Sequence, residues 1–373
     1  MAGSVSNGRP SITSEQAQRI IAKNNPDIKQ SRVAMMTEVV NRGYSYTPSL
    51  KTYLLDLAAP DSDNTASPPS SCFLTISTPD AGSGNYHPNF LPIVYQILSR
   101  IRTQTGIPIP ESVLDITLTD IPYHYLLSPV TLIGSKDIIP LSRARKEGLI
   151  NLNDNLLIDL QLGKFLGQLH SGVQNDWYGL PNLAEPMDAS YSWQETFTSF
   201  LEELLVRFET VGYDLPYEDI RRSLSRAIGF FLFDDVEVPS LVWFTGGEDD
   251  IYVALPIESR YLSIKTPTIA AILPSVSHAL WGDPLLESFF LPPAPSAALQ
   301  EGYNGGGGGP LIVFPRQETK RAWYTLFLAL VTLTNHGLTP REDDEHPESA
   351  EKRIWCRETI LKCVEILKDG PCY

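Results

Sequence analysis

Apolar positions along the chain fall into two regimes. In the first third they come as short runs and alternations broken by polar turns. "RVAMMTEVV", "LKTYLLDLA" and "SCFLTIST" each read as a strand, with the turn "NRGYSYTPS" between the first two and the Pro-, Ser- and Asp-rich loop "APDSDNTASPPSS" before the third. A helix precedes them in "ITSEQAQRIIAKN". Another follows in "FLPIVYQILSRIRTQ", where Ile93 or Val94, Ile97, Leu98 and Ile101 recur at helical spacing. Glycine and two prolines in "TGIPIPESVL" end that helix, and "YHYLLSPV" reads as a further strand.

From about residue 150 the period lengthens to that of helices. "DNLLIDLQLGKFLGQLHSG" carries Leu162, Leu166 and Leu169 on one face and closes at Gly172. "SWQETFTSFLEELLVRF" opens with a capping box, Ser192 to Glu195, and repeats Trp193, Phe197, Phe200 and Leu204. "YEDIRRSLSRAIGFFLF" is a third helix. The stretch "LVWFTGGEDDIYV" has the outline of a strand, a tight loop at Gly246 and Gly247, and a second strand. A β-like "RYLSIKTPTIAAIL" follows it, and helices from about Thr319 and about Glu348 finish the chain. No internal repeat is present. The pattern predicts a bilobal α+β protein. Its sheet-rich N-lobe spans 1–127, and its mainly helical C-lobe spans 128–373 with a strand–loop–strand insert around 240–275.

Composition narrows the partners. A net charge of −15 opposes nucleic acid, and it makes a polyanion such as ATP awkward without local cations. The opening "MAGSVSNGRPSITSEQ" lacks an apolar signal core, and "WYTLFLALV" is too short to span a bilayer. Cys72, Cys356, Cys363 and Cys372 show no CxxC spacing; Cys356 and Cys363, seven apart, are expected to share a helix face. A soluble, cytoplasmic protein is expected.

The segments "ILSRIRTQTGIPIPESVL", "LQLGKFLGQLHSGVQNDWYGLP", "DVEVPSLVWF", "SHALWGDPLLES" and "EGY" at Glu301–Tyr303 together resemble the aminoglycoside phosphotransferase-like family, in its fungal branch. The resemblance runs from about residue 30 to 340. It implies a protein-kinase-like fold with ATP between the lobes. Phosphoryl transfer on that fold needs a strand lysine paired with a helix glutamate, an aspartate at the acceptor hydroxyl, and an asparagine and second aspartate on Mg²⁺. The lead-in "PSLV" is intact here, yet Trp243 stands at the family's histidine, Thr245 at its catalytic aspartate and Asp250 at its asparagine. Ser275 stands at the metal aspartate, with Ser277 at the following acid; Thr75 stands at the lysine and Val94 at the glutamate. The turn between the first strands keeps only Gly43. A threonine cannot bring a carboxylate's charge to Mg²⁺, and a valine cannot pair a lysine. The resemblance therefore implies a kinase scaffold without kinase chemistry, using neither nucleotide cofactor nor metal.

A cleft relieved of those charges suits an apolar ligand. The leading expectation is a cofactor-free cyclase or isomerase, a [4+2] pericyclase being one candidate. It would act on a hydrophobic intermediate of fungal secondary metabolism and work mainly by holding reacting ends together. Thr245, Ser275 and Thr75 would donate to a substrate carbonyl, Trp243 and Phe244 would line the wall, and Asp250 or His278 would move a proton. The alternatives are a non-catalytic pseudokinase binding a small molecule or a protein, and a divergent phosphotransferase that recruits Glu248, Asp249 or Asp250 for metal. Blander readings apply residue by residue. Glu248–Asp250 reads as a solvated loop, His170 and His278 as packed structural histidines, Asp283 as a cap, and Gly305–Gly309 as a flexible loop without the lysine of a phosphate loop. No Gly-x-Ser-x-Gly elbow supports a hydrolase.

Overall fold

The computed structural model describes residues 9–24, 32–39, 43–58, 70–79, 87–130, 138–184, 186–258, 263–264, 266–273, 276–337 and 347–372. Its first part is α1 (Ser14–Asn24), β1 (Arg32–Glu38), β2 (Leu50–Ala58), β3 (Ser70–Ser77), α2 (Leu91–Gln104), β4 (Val113–Asp115) and β5 (His124–Val130). The strands form one antiparallel sheet in the order β1-β2-β3-β5-β4. Side chains alternate between its faces. Tyr53, Leu55 and Leu57 of β2 and Cys72, Leu74 and Ile76 of β3 pack beneath Ala17, Ile20 and Ile21 of α1. On the other face Phe73 meets Tyr252 of the C-terminal part, ring centroids 4.9 Å apart. Strand β4 was hidden in the proline-rich stretch read only as the end of α2.

The rest is β6 (Ile138–Pro140), α3 (Leu141–Lys146), α4 (Leu152–Gly172), α5 (Trp193–Thr210), α6 (Tyr217–Gly229), β7 (Ser240–Val242), β8 (Ile251–Ala254), β9 (Ile257–Glu258), β10 (Ser263–Ile264), β11 (Thr268–Ile272), β12 (Leu280–Gly282), α7 (Ala297–Gly305), α8 (Pro315–His336) and α9 (Pro347–Asp369). The capping box is present in part: Ser192 Oγ accepts from the Glu195 N–H at 3.2 Å and opens α5. Helix α8 is buried on nearly every side and carries the aromatic centre, where Tyr324 and Phe327 meet Phe197 of α5. Cys356 and Cys363 do share the buried face of α9, as free thiols.

One sequence expectation gains detail and one changes. The strand–loop–strand outline is correct, but β7 and β8 do not pair with each other. Strand β7 pairs with β12, whereas β8 lies between β11 and β6. The loop between them thus joins two separate small sheets. The glycine run is also no simple flexible loop, because α7 ends at Gly305 and Gly306 lies against α4. A Cβ on Gly306 would come within 2.3 Å of the Lys164 carbonyl oxygen.

Candidate functional site

The loop from Trp243 to Asp250 is built from outside itself. Glu287, wholly buried, accepts from the Trp243 N–H at 2.9 Å through Oε2, and His170 Nε2 lies 3.6 Å from the same oxygen. His170 is oriented in turn by Tyr303, whose hydroxyl lies 3.0 Å from Nδ1. Ser288 donates to the Gly246 carbonyl. Pinned this way, Phe244 takes a left-handed conformation with φ of 62°, and the Thr245 N–H reaches the Trp243 carbonyl at 2.7 Å. For a bulky residue that conformation is costly and persists only where the surroundings impose it. Sequence reasoning passed over Glu287; its one signal is an acid inside the apolar run "PLLESFF".

Of the candidates, Trp243, Phe244, Thr245 and Asp250 come together in this loop, and all four are buried. Thr245 Oγ1 and Trp243 Nε1 have no hydrogen-bond partner among the described residues. Asp250 is the most heavily engaged. Both of its carboxylate oxygens lie 3.0 Å from Ser45 Oγ, and Oδ2 also accepts from the Gly247 N–H at 2.9 Å. Ser45 belongs to the turn between β1 and β2, which is folded down onto the helical part. There Tyr44 packs on Trp355 with Lys352 3.9 Å above its ring, and Tyr46 stacks on His336. Nothing in the sequence marks Ser45, since its partner lies 205 residues away.

The acids are not the solvated loop read from the sequence. Glu248 pairs with Arg145 of α3, Asp249 accepts from Ser142, and Asp250 is 1% exposed. Thr75 lies apart from the loop, in β3, on the same face as Phe73; its hydroxyl is 2.9 Å from that of Thr52 on the neighbouring strand. Val94 is buried on α2. Ser275 lies outside the described residues. His278 is buried, with Nε2 3.0 Å from Asn335 Nδ2 of α8, and Asn89 binds the same segment through the carbonyls of Val276 and Ala279. Asp283 caps the turn after β12 as expected and also accepts from Tyr324.

Mg²⁺ asks for an octahedron of oxygen ligands, several of them anionic or from phosphate. The Asp250 carboxylate meets a hydroxyl and an amide N–H, and among the described residues no three His, Cys, Asp or Glu side chains gather as a metal-binding group.

Burial, helped by His87, pushes His278 down to about 4. The folded chain therefore holds it neutral down to about pH 4, while the unfolded chain protonates it from its ordinary 6.5 downward. Between those values the unfolded state binds more protons, so stability falls as the pH drops, by on the order of 3 kcal/mol. Urea unfolding at pH 7, 6 and 5 should give a steeper loss for the native chain than for His278→Gln. Equal slopes would show that His278 is not held neutral.

A comparison with protein-family models and one with curated proteins each find no match. Solved structures do match. Aminoglycoside phosphotransferase APH(4)-Ia aligns with a TM-score of 0.55 at 12% identity, over 95% of this chain and 99% of that one. An aminoglycoside phosphotransferase-like protein from Ralstonia eutropha JMP134 aligns with a TM-score of 0.54 at 11% identity, over 97% and 100%. At such identity the likeness speaks for the fold alone: the chain has a kinase-like α+β fold, with a sheet-rich N-terminal region and a helical C-terminal region.

Proposed function

We propose that this kinase-fold chain does not transfer phosphoryl groups and serves as a small-molecule-binding protein, a pseudokinase in chemical terms. The observation that carries this reading is the Ser45–Asp250 contact. A carboxylate at the position matching a metal-holding asparagine is engaged by the hydroxyl of Ser45, on the chain's own turn between β1 and β2. Thr75 and Thr245, matched to the family's lysine and catalytic aspartate, bring no charge to replace what is missing.

Thermal unfolding with and without saturating Mg-ATP tests it. A nucleotide at a hundred times its dissociation constant would stabilise the fold by about 2.7 kcal/mol. No shift of the midpoint is expected. An Mg-dependent shift that Asp250→Ala removes would overturn the proposal in favour of a divergent phosphotransferase.

A second reading, the cofactor-free cyclase or isomerase acting on a hydrophobic intermediate, draws support from Thr245. Its hydroxyl and the Trp243 indole N–H are buried donors without acceptors among the described residues, a costly arrangement that a substrate carbonyl would relieve. Conversion of a polyene substrate to a product of unchanged mass, slowed at least tenfold by Thr245→Val, is its test. An unaffected Thr245→Val variant would remove this reading.

A further inference from the structure

Away from the Trp243–Asp250 loop, a cavity of about 660 Å³ opens between the start of α2, the connector after α4 and the first two turns of α5. Its size lies within the range of small-molecule sites. Five rings line it: His87 and Phe90 before α2, Trp177 and Tyr178 on the connector, and Phe200 on α5. Two carboxylates, Asp188 and Glu195, stand in the same wall, and among the described residues no lysine or arginine lines it. Neither carboxylate forms an ion pair among the described residues.

The other polar groups of the wall are largely committed to the protein. The Asn89 amide donates to the Val276 and Ala279 carbonyls, and the Tyr178 hydroxyl donates to the Val236 carbonyl at 2.7 Å. What remains for a guest is aromatic surface, negative charge and the buried Trp177 indole N–H, which has no hydrogen-bond partner among the described residues. A cation with an apolar body matches the first two, its ammonium facing the carboxylates and its body lying on ring faces, where aromatic quadrupoles add to the attraction. An anionic guest would face two like charges.

We infer that this cavity is a binding site for organic ammonium compounds carrying an aromatic or bulky apolar group, separate from the kinase-type centre. The inference is independent of whether the chain binds nucleotide. Because Asn89 both lines the cavity and holds the 276–279 segment, a guest here rests against the support of His278.

Titration calorimetry with phenethylammonium chloride and with its neutral analogue 2-phenylethanol, at one fixed ionic strength, tests it. The amine should bind at least tenfold more tightly than the alcohol, and it should quench tryptophan emission in the native chain but less in Trp177→Phe. In the double variant Asp188→Asn/Glu195→Gln, the amine should fall to the affinity of the alcohol. Both positions are exposed, so the variant retains its fold, which thermal unfolding checks. Equal binding of amine and alcohol, no binding of either, or an amine affinity untouched by the double variant would each overturn the assignment.

Discussion

Replacing Lys320 with methionine should lower the stability of the chain by about 3–5 kcal/mol, the usual cost of stranding one member of a buried ion pair. Lys320 is 3% exposed in the second turn of α8, with its ammonium 2.6 Å from Asp235 and 2.7 Å from Asp283. Burial opposes its charge, but the two carboxylates outweigh burial and hold its pKa above the ordinary lysine value. Asp283 also accepts from the Tyr324 hydroxyl and the Leu285 N–H, and Tyr324 accepts from the Trp193 indole at 2.8 Å. Lys320→Met keeps the volume and leaves a buried carboxylate with neutral donors only. Urea denaturation is the measurement, with Lys320→Met/Asp283→Asn as the companion. The double variant should recover part of the loss because it removes the stranded charge. A loss below about 1 kcal/mol in the single variant would mean that Tyr324 and Leu285 satisfy Asp283 by themselves.

Gly163→Ala and Gly302→Ala should each cost about 3 kcal/mol, although alanine is the better helix former by about 1 kcal/mol in an open position. Helices α4 and α7 touch backbone to backbone: a Cβ on Gly163 would lie 2.0 Å from the Leu299 carbonyl oxygen, and one on Gly302 would lie 2.1 Å from that of Leu160. Neither obstacle is a side chain that can turn away, so the helices must part. Their parting would disturb Tyr303, which orients His170 beneath the Trp243 loop. Gly229→Ala, which meets nothing within 4 Å, is the control and should be neutral or slightly stabilising. Thermal unfolding of the three variants decides; unchanged midpoints for Gly163→Ala and Gly302→Ala would rule out so close a contact.

Both predictions concern a helical half that holds its central loop rigidly from below, through Glu287 and His170, while a turn of the sheet closes over Asp250 from above. These supports are made by the chain's own residues, so the proposed loss of phosphoryl chemistry need not cost the chain its fold.

What the amino-acid order determined alone is the local and periodic part. The apolar alternation of β2 and β3, the helical repeats of α2, α4 and α5, and the cap at Ser192 were legible because each is decided by neighbours within a few residues. The kinase-like arrangement was legible through spaced motifs. Short α3, three-residue β4 and glycine-containing α7 were not. Their own sequences favour them little, and α7 owes its place to contact with α4. Only the tertiary structure decided that β7 and β8 join different sheets, that Ser45 meets Asp250 across 205 positions, and that Glu287 holds the loop. The physical reason is common to all three. A hydrogen bond or strand pairing between distant segments leaves no period in the chain, and whether an acid is solvated or sealed depends on what the rest of the protein lays over it.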